Sequence, residues 1–198
     1  MINRPPDIYG ALLHFPVYNK NREIVTTCIS SYDLHDISRA IRCYGLHAFF
    51  VVNPLDSQRQ LAHRIIRHWV VGYGADYNPT RKMALEYIQI RQSLSEVITE
   101  ISAKYNTSLK IIATSSQFKR DIISYAALQR EIGKRLHPLL ILFGTGWGIC
   151  DEIINKADYL LEPIMGNSDY NHLSVRSAAA IVLDRLFGDR HAGGNKHA

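Results

Sequence analysis

The run Pro138-Leu139-Leu140-Ile141-Leu142-Phe143 carries no polar side chain before it breaks into Gly144-Thr145-Gly146-Trp147-Gly148. A strand apolar on both faces must be covered on both faces, the condition of a central strand in a parallel sheet flanked by helices. Glycines at its C-terminal end let a backbone approach a ligand closely, and a helix that follows points free N–H groups the same way. In α/β folds, ligands bind at that end of the strands. The spacing fits neither Gly-x-Gly-x-x-Gly nor a phosphate loop ending in Gly-Lys-Ser/Thr. Alone, the run is either a cofactor loop or a tight strand-to-helix turn.

The rest of the chain alternates in the same sense. Leu12 to Val17 is a short apolar run, Tyr18 to Arg22 a turn, and Glu23 to Ser30 a β-branched strand. A helix is expected from an N-cap at Asp33 to a C-terminal Gly45, with Ile37, Ala40, Ile41 and Tyr44 on one face. Ala48 to Val52 is a buried-type strand stopped by Asn53-Pro54, so these elements form a βαβ unit. Leu61, Ile65, Ile66, Trp69 and Val70 give Ser57 to Val71 a helical period. After Asn78-Pro79, a longer helix is expected from Thr80 to Lys104, carrying Met83, Tyr87, Ile90, Leu94, Val97, Ile98 and Ile101. Beyond it come a strand at Ser108–Thr114, a helix at Ser124–Arg135, a short helix at Cys150–Lys156 and a strand at Tyr159–Leu161. A last helix runs from Ser174 to Leu186. The expectation is one α/β domain over 1–187, with a basic helical insertion near 57–104 and a flexible glycine-rich tail at 188–198.

Composition removes several function classes. Cys28, Cys43 and Cys150 lie far apart with no Cys-x-x-Cys spacing, which argues against a disulfide framework or a zinc site. His63 and His68 are five apart rather than the four that would place two ligands on one helix face. No metal is expected. No signal peptide is visible behind Met1, and no apolar run approaches the ~18 residues of a membrane span, so a cytoplasmic protein without a membrane partner is expected. The net charge of +5 has much of its excess between Gln58 and Lys134. That surplus is compatible with a phosphate-backbone partner and equally with solvated helix faces.

Two further segments hold chemistry-bearing residues. The loop from Glu162 to His172 joins a buried strand to an apolar helix yet is rich in polar residues, as functional loops are. Arg176 falls in the first turn of the next helix, where the dipole disfavours a cation unless it meets an anion; otherwise it is a surface arginine. Asp33 is either a helix cap or a candidate proton acceptor. His35 and Asp36 are adjacent and diverge on a helix, while Arg39 sits roughly opposite Ile37 and Ile41.

Taken in order, these segments resemble the motifs of the SPOUT (α/β-knot) methyltransferases, and most closely a bacterial subfamily of S-adenosylmethionine-dependent RNA methyltransferases. The first motif, Asn-x-Gly-x-x-x-Arg with a later Gly, is matched by Asp33, His35, Arg39 and Gly45; the second by Leu140 to Ile149. The third is matched by Pro163-Ile164, His172-Leu173-Ser174-Val175 and Ala178-Ala179-Ala180-Ile181. The first-motif Asn and Gly are replaced by Asp33 and His35, and the second motif lacks the glutamate common in relatives, so ribose methylation is not carried over.

The resemblance implies a parallel sheet flanked by helices, a C-terminal trefoil knot, a homodimer with its active site completed across the interface, and a tRNA or rRNA substrate. It implies that S-adenosylmethionine, leaving as S-adenosylhomocysteine, is held by Thr114, Leu142, Phe143, Gly144, Thr145, Gly146, Ile164, Gly166, Asn171, His172, Leu173 and Ser174. Arg39 would orient RNA or stabilise developing charge, with Asp33 and Asp169 as competing proton acceptors. A module of the same fold that binds the cofactor without transferring methyl, and a Rossmann-like enzyme acting on a small molecule, are the alternative readings.

Overall fold

In the computed structural model, residues 7–117 and 121–189 are described; Lys119, Arg120 and the tail beyond Asp189 lie outside them. The chain opens with β1 (Ile8–Leu13), a short hairpin of β2 (Val17–Tyr18) and β3 (Ile24–Val25), helix α1 (Ser31–Cys43) and β4 (Ala48–Val52). Helices α2 (Asp56–Val70), α3 (Tyr73–Tyr77) and α4 (Pro79–Leu85) lead to β5 (Ile88–Arg91) and α5 (Leu94–Ser102). Then follow β6 (Lys110–Thr114), β7 (Ile122–Ile123), α6 (Tyr125–Lys134), β8 (Leu139–Gly144), α7 (Asp151–Lys156), β9 (Tyr159–Leu161) and α8 (Val175–Phe187).

Seven strands form one sheet in the order β5-β4-β1-β8-β6-β9-β7, and every pairing is parallel. The fully buried strand β1 and the apolar strand β8 lie side by side at the centre, with Ile8 opposite Leu139 and Leu13 opposite Gly144. Period-two alternation divides their side chains between two cores. Leu12, Ile141, Phe143, Phe49 and Val51 pack beneath α1, α2, α4, α6 and α8. Ala11, Leu13, Leu140, Leu142 and Phe50 pack on the other face against α5, α7 and the hairpin. Among the described residues no helix is long and apolar enough to cross a membrane.

The first strand is Ile8–Leu13, ahead of the apolar run expected from Leu12 to Val17, and α3 and β7 have no counterpart in the sequence expectation. Three further elements differ. The segment expected to be one helix from Thr80 to Lys104 is helix, strand, helix, and its strand β5 extends the sheet by pairing with β4. The spacing of Met83, Tyr87, Ile90 and Leu94 satisfies a helical period, but Ile88 and Ile90 also alternate, and an open sheet edge supplies hydrogen bonds that decide between the two. The start of α5 carries a local mark: Ser93 accepts from the Glu96 amide, and the Glu96 carboxylate accepts from the Gln92 amide. The strand expected over Glu23–Ser30 shrinks to Ile24–Val25, because only those residues find a partner in β2. The cap of α1 is Ser30, whose hydroxyl accepts from the Tyr32 amide, and not Asp33. That leaves the Asp33 carboxylate free of capping. Gly45 does end α1 in the left-handed region, with φ of 73°.

Candidate active site

The C-terminal ends of β8, β6 and β9 open into a cleft of about 540 Å³, within the range of small-molecule sites. Its floor is Phe143 with the turn Gly144–Gly148; one wall is Thr114 to Gln117, and the other runs from Ile164 and Asn171 through Ser174 into the first turns of α8. Thr27, Cys28 and Asp33 close the side towards α1.

The turn after β8 is tightly held. A Cβ on Gly144 would sit 2.5 Å from Ile149 Cγ1 and 2.9 Å from its amide nitrogen, so no side chain fits there. Gly146 has φ of 59°, and a Cβ on it would come within 2.8 Å of the Tyr18 carbonyl. The hairpin straps this turn from outside: the Trp147 amide donates to the Tyr18 carbonyl at 2.8 Å, and the Tyr18 amide donates to the Gly148 carbonyl at 2.9 Å. Trp147 stays 63% exposed at the rim, in edge contact with His172, whose ring meets that of Tyr170. The Thr114 hydroxyl donates to the Leu142 carbonyl at 2.8 Å, and the Asn171 amide group donates to the Ser116 carbonyl at 2.9 Å. The second of these bonds joins the two walls.

Below the turn lies a buried polar chain. Thr145 Oγ1 donates to the Leu13 carbonyl at 3.0 Å and is in short contact with Thr27 Oγ1, which meets His14 Nδ1 at 2.9 Å. A carbonyl can only accept, so Thr145 has spent its proton there. Thr27 must then donate to Thr145, and His14 must donate from Nδ1. His14 Nε2 is left buried with no partner among the described residues. Burial pulls the His14 pKa from 6.5 to about 4, so the ring is neutral at ordinary pH.

One ion cluster reaches the cleft. Arg176 Nη1 lies 3.5 Å from Asp33 Oδ1, and its Nε lies 3.5 Å from Asp36 Oδ2. Asp33 is 8% exposed; burial pushes its pKa above the ordinary carboxylate value, and the Arg176 guanidinium only partly offsets this. The cation in the first turn of α8 therefore does meet anions.

Of the residues singled out from sequence, Thr114, Phe143, Gly144, Thr145, Gly146, Ile164, Asn171, His172, Leu173, Ser174 and Asp33 line the cleft together. Leu142 lies beneath it with its side chain in the opposite core. Gly166 and Asp169 are exposed on the loop, and Arg39 is exposed on α1; none of the three lines the cleft. Thr27 and Tyr125, to which sequence reasoning assigned no role, also line the cleft, as do Trp147 of the glycine turn and Ala178 and Val182 of α8, which were not singled out as cofactor contacts. No group of three or more His, Cys, Asp or Glu among the described residues is placed to hold a metal.

The fold is shared with SpoU/TrmH-type methyltransferases. The A. aeolicus TrmH/SpoU tRNA modifying enzyme superposes with a TM-score of 0.54 at 16% identity, covering 92% of this chain and 75% of that one. A probable methyltransferase from Bordetella pertussis Tohama I superposes at 0.62 and 13% identity, covering 91% and 94%. The profile of the SAM-dependent RNA methyltransferase family matches residues 7–188, and the chain belongs to that family. A protein of Aquifex aeolicus named only "Uncharacterized protein" is 40% identical over 187 residues, covering 94% of this chain and 90% of that protein. The tRNA (guanine-N(1)-)-methyltransferase of Nitratidesulfovibrio vulgaris is 37% identical over 188 residues, and that of Oleidesulfovibrio alaskensis 36% over 183. This chain spans 44% and 42% of their lengths, less than half of each.

Proposed function

We propose that the protein methylates a nucleotide of a tRNA or rRNA in the cytoplasm, with S-adenosylmethionine seated in the cleft at the ends of β8, β6 and β9. The observation that carries this reading is the tight glycine turn Gly144–Gly148 facing the Ile164–Ser174 wall across a cleft of cofactor size, in a chain of this family. The fit is one of backbone edges: the cofactor's adenine and bent chain would lie against Phe143 to Gly146, Ile164, and Asn171 to Ser174, with Thr114 shaping the wall, the Leu142 backbone beneath the floor, and Gly166 in the loop. Bound there, the cofactor supplies an electrophilic sulfonium methyl. The cleft excludes water from that carbon and the walls hold the target nucleotide in line with it.

Asp33, facing Arg176, is the proton acceptor of this reading, and Asp169 takes that role if the exposed loop closes over the cleft. Arg176 orients the target or its developing charge. Arg39, exposed and outside its own cleft, is read as completing the cleft of a second subunit in a homodimer. The trefoil knot belongs to the same proposal: β9 lies beyond β6 in the sheet, while α8 returns to pack against α1 and α6.

Calorimetric titration with S-adenosylmethionine and S-adenosylhomocysteine tests the cofactor. Ala178 is a small residue of α8 that lines the cleft. Micromolar binding to the wild type is expected, weakened by about tenfold or more in Ala178→Trp, which fills the space at an unchanged thermal midpoint. No binding at millimolar cofactor would sink the reading, and binding without a methylated product on tRNA or rRNA would leave a cofactor-binding module.

A further inference from the structure

Several cations elsewhere on the described surface are paired with carboxylates. Arg22 meets Asp151 at 2.8 Å, Arg91 meets Glu100 at 2.6 Å, Lys110 meets Asp158 at 2.7 Å, and Lys134 meets Glu131 at 2.6 Å. The outer side of α2 and α4 is different. Arg64 and Arg67 stand exposed one turn apart, and Arg81 and Lys82 follow on α4; none of the four has an ion pair among the described residues. Arg81 lies over the Trp69 ring at 4.4 Å, which fixes its guanidinium plane.

Aromatic faces stand on α3, which packs against both α2 and α4. Tyr73 and Tyr77, both on α3, are 75% and 74% exposed, and their rings are stacked with centroids 6.0 Å apart and planes 23° from parallel. Such a pair leaves an outer ring face open to solvent. Asp76 is the carboxylate of that short helix, and Glu86 follows α4, so the surface as a whole keeps a positive surplus. It also continues towards the cleft. Arg81 of α4 and Arg39 of α1 both act on His35 of α1, and the neighbouring Asp36 reaches Arg176 at the cleft wall.

We propose that the outer surface of α2, α3 and α4 is an RNA-docking site outside the cleft, with Arg64, Arg67, Arg81 and Lys82 against phosphates and Tyr73 and Tyr77 against unpaired bases. It deepens the RNA-methyltransferase reading and rests on it. Unpaired cations release counterions on meeting a phosphate backbone, whereas paired ones must first break a salt bridge. Exposed stacked tyrosines accept any base that a loop or single strand leaves unstacked, so the substrate segment is single-stranded or looped RNA rather than a continuous duplex.

The test is fluorescence anisotropy with labelled unfractionated bacterial tRNA and fragmented ribosomal RNA over a salt series. The variants are Arg64→Gln/Arg67→Gln, the same pair with Arg81→Gln/Lys82→Gln, and Tyr73→Ala/Tyr77→Ala. The quadruple variant should bind RNA about tenfold or more weakly, with the slope of log K against log salt reduced by about three. The exposed double variant, which disturbs no described contact, should show about half of that change. The tyrosine variant should lose about tenfold with its slope unchanged. Lys134→Gln/Lys156→Gln, which removes paired cations elsewhere, should stay within about threefold of wild type. Wild-type affinity in the arginine and tyrosine variants overturns the site, as does equal loss in the control or no binding of either RNA by the wild type. Titration of S-adenosylmethionine into the same proteins separates the two failures: unaltered cofactor binding with no RNA effect condemns only this surface.

Discussion

Arg176→Ala is expected to slow methyl transfer to RNA by about 10²–10³-fold while leaving affinity for S-adenosylmethionine within about threefold. The guanidinium occupies the first turn of α8, where the aligned peptide dipoles oppose a positive charge. It is held there by carboxylates from α1 on two sides, Asp33 and Asp36, each at 3.5 Å. A planar fork of five donors can satisfy both carboxylates and still present N–H groups to the cleft that it lines. A lysine cannot, so Arg176→Lys should recover only a small part of the lost rate. Asp33→Asn separates the two possible duties of the pair. If Asp33 only positions Arg176, the amide keeps much of the rate; if it accepts a proton, the loss approaches that of Arg176→Ala. Burial already works against the ionised Asp33, so the asparagine variant should be no less heat-stable at neutral pH. Single-turnover transfer of labelled methyl to unfractionated bacterial RNA, with parallel calorimetry, measures both quantities. A wild-type rate in Arg176→Ala would remove this arginine from the chemistry.

How much of this could be read beforehand depended on whether the signal was local. The strands β4 and β8 are continuous apolar runs ended by Asn53-Pro54 and by glycines, and they stand where the sequence placed them. The Gly144–Gly148 turn and the wall from Ile164 to Ser174 were visible as separate segments, and the fold brings them to one cleft. The stretch from Pro79 to Ser102 was not legible, because a four-residue edge strand satisfies helical spacing as well as alternation until its partner strand is known. The pairing of Asp33 with Arg176 has no local trace in the sequence around Asp33. Its single hint was the arginine itself, a cation at the wrong end of a helix. The strand order and the role of Thr27 are properties of tertiary structure alone, since they join residues from opposite ends of the chain.

The buried chain beneath the turn leads to the other large effect: acid should destabilise the protein by about 3 kcal/mol between pH 6.5 and about 4, through His14. His14 is 1% exposed, its Nδ1–H is committed to Thr27, and its Nε2 faces no acceptor among the described residues. A proton added at Nε2 would create a charged N–H donor with nothing to receive it, and burial denies it water. The folded state therefore resists a proton that the unfolded chain accepts at 6.5. In that window the unfolded state binds more protons, so stability rises with pH and is lost as pH falls towards about 4, at about 1.4 kcal/mol per unit. His14→Gln keeps a donor for Thr27 and cannot titrate. Urea unfolding of the two proteins across this range should show a steep loss in the wild type and a shallower one in the variant. Slopes that stay parallel would clear His14 of any part in the acid sensitivity. Because Thr27 and Thr145 sit between this ring and the glycine turn, forcing a charge onto His14 is expected to disturb the Gly144–Gly148 floor before the whole sheet fails. Affinity for S-adenosylmethionine should then fall at a higher pH than the unfolding transition in the wild type, and that separation should vanish in His14→Gln.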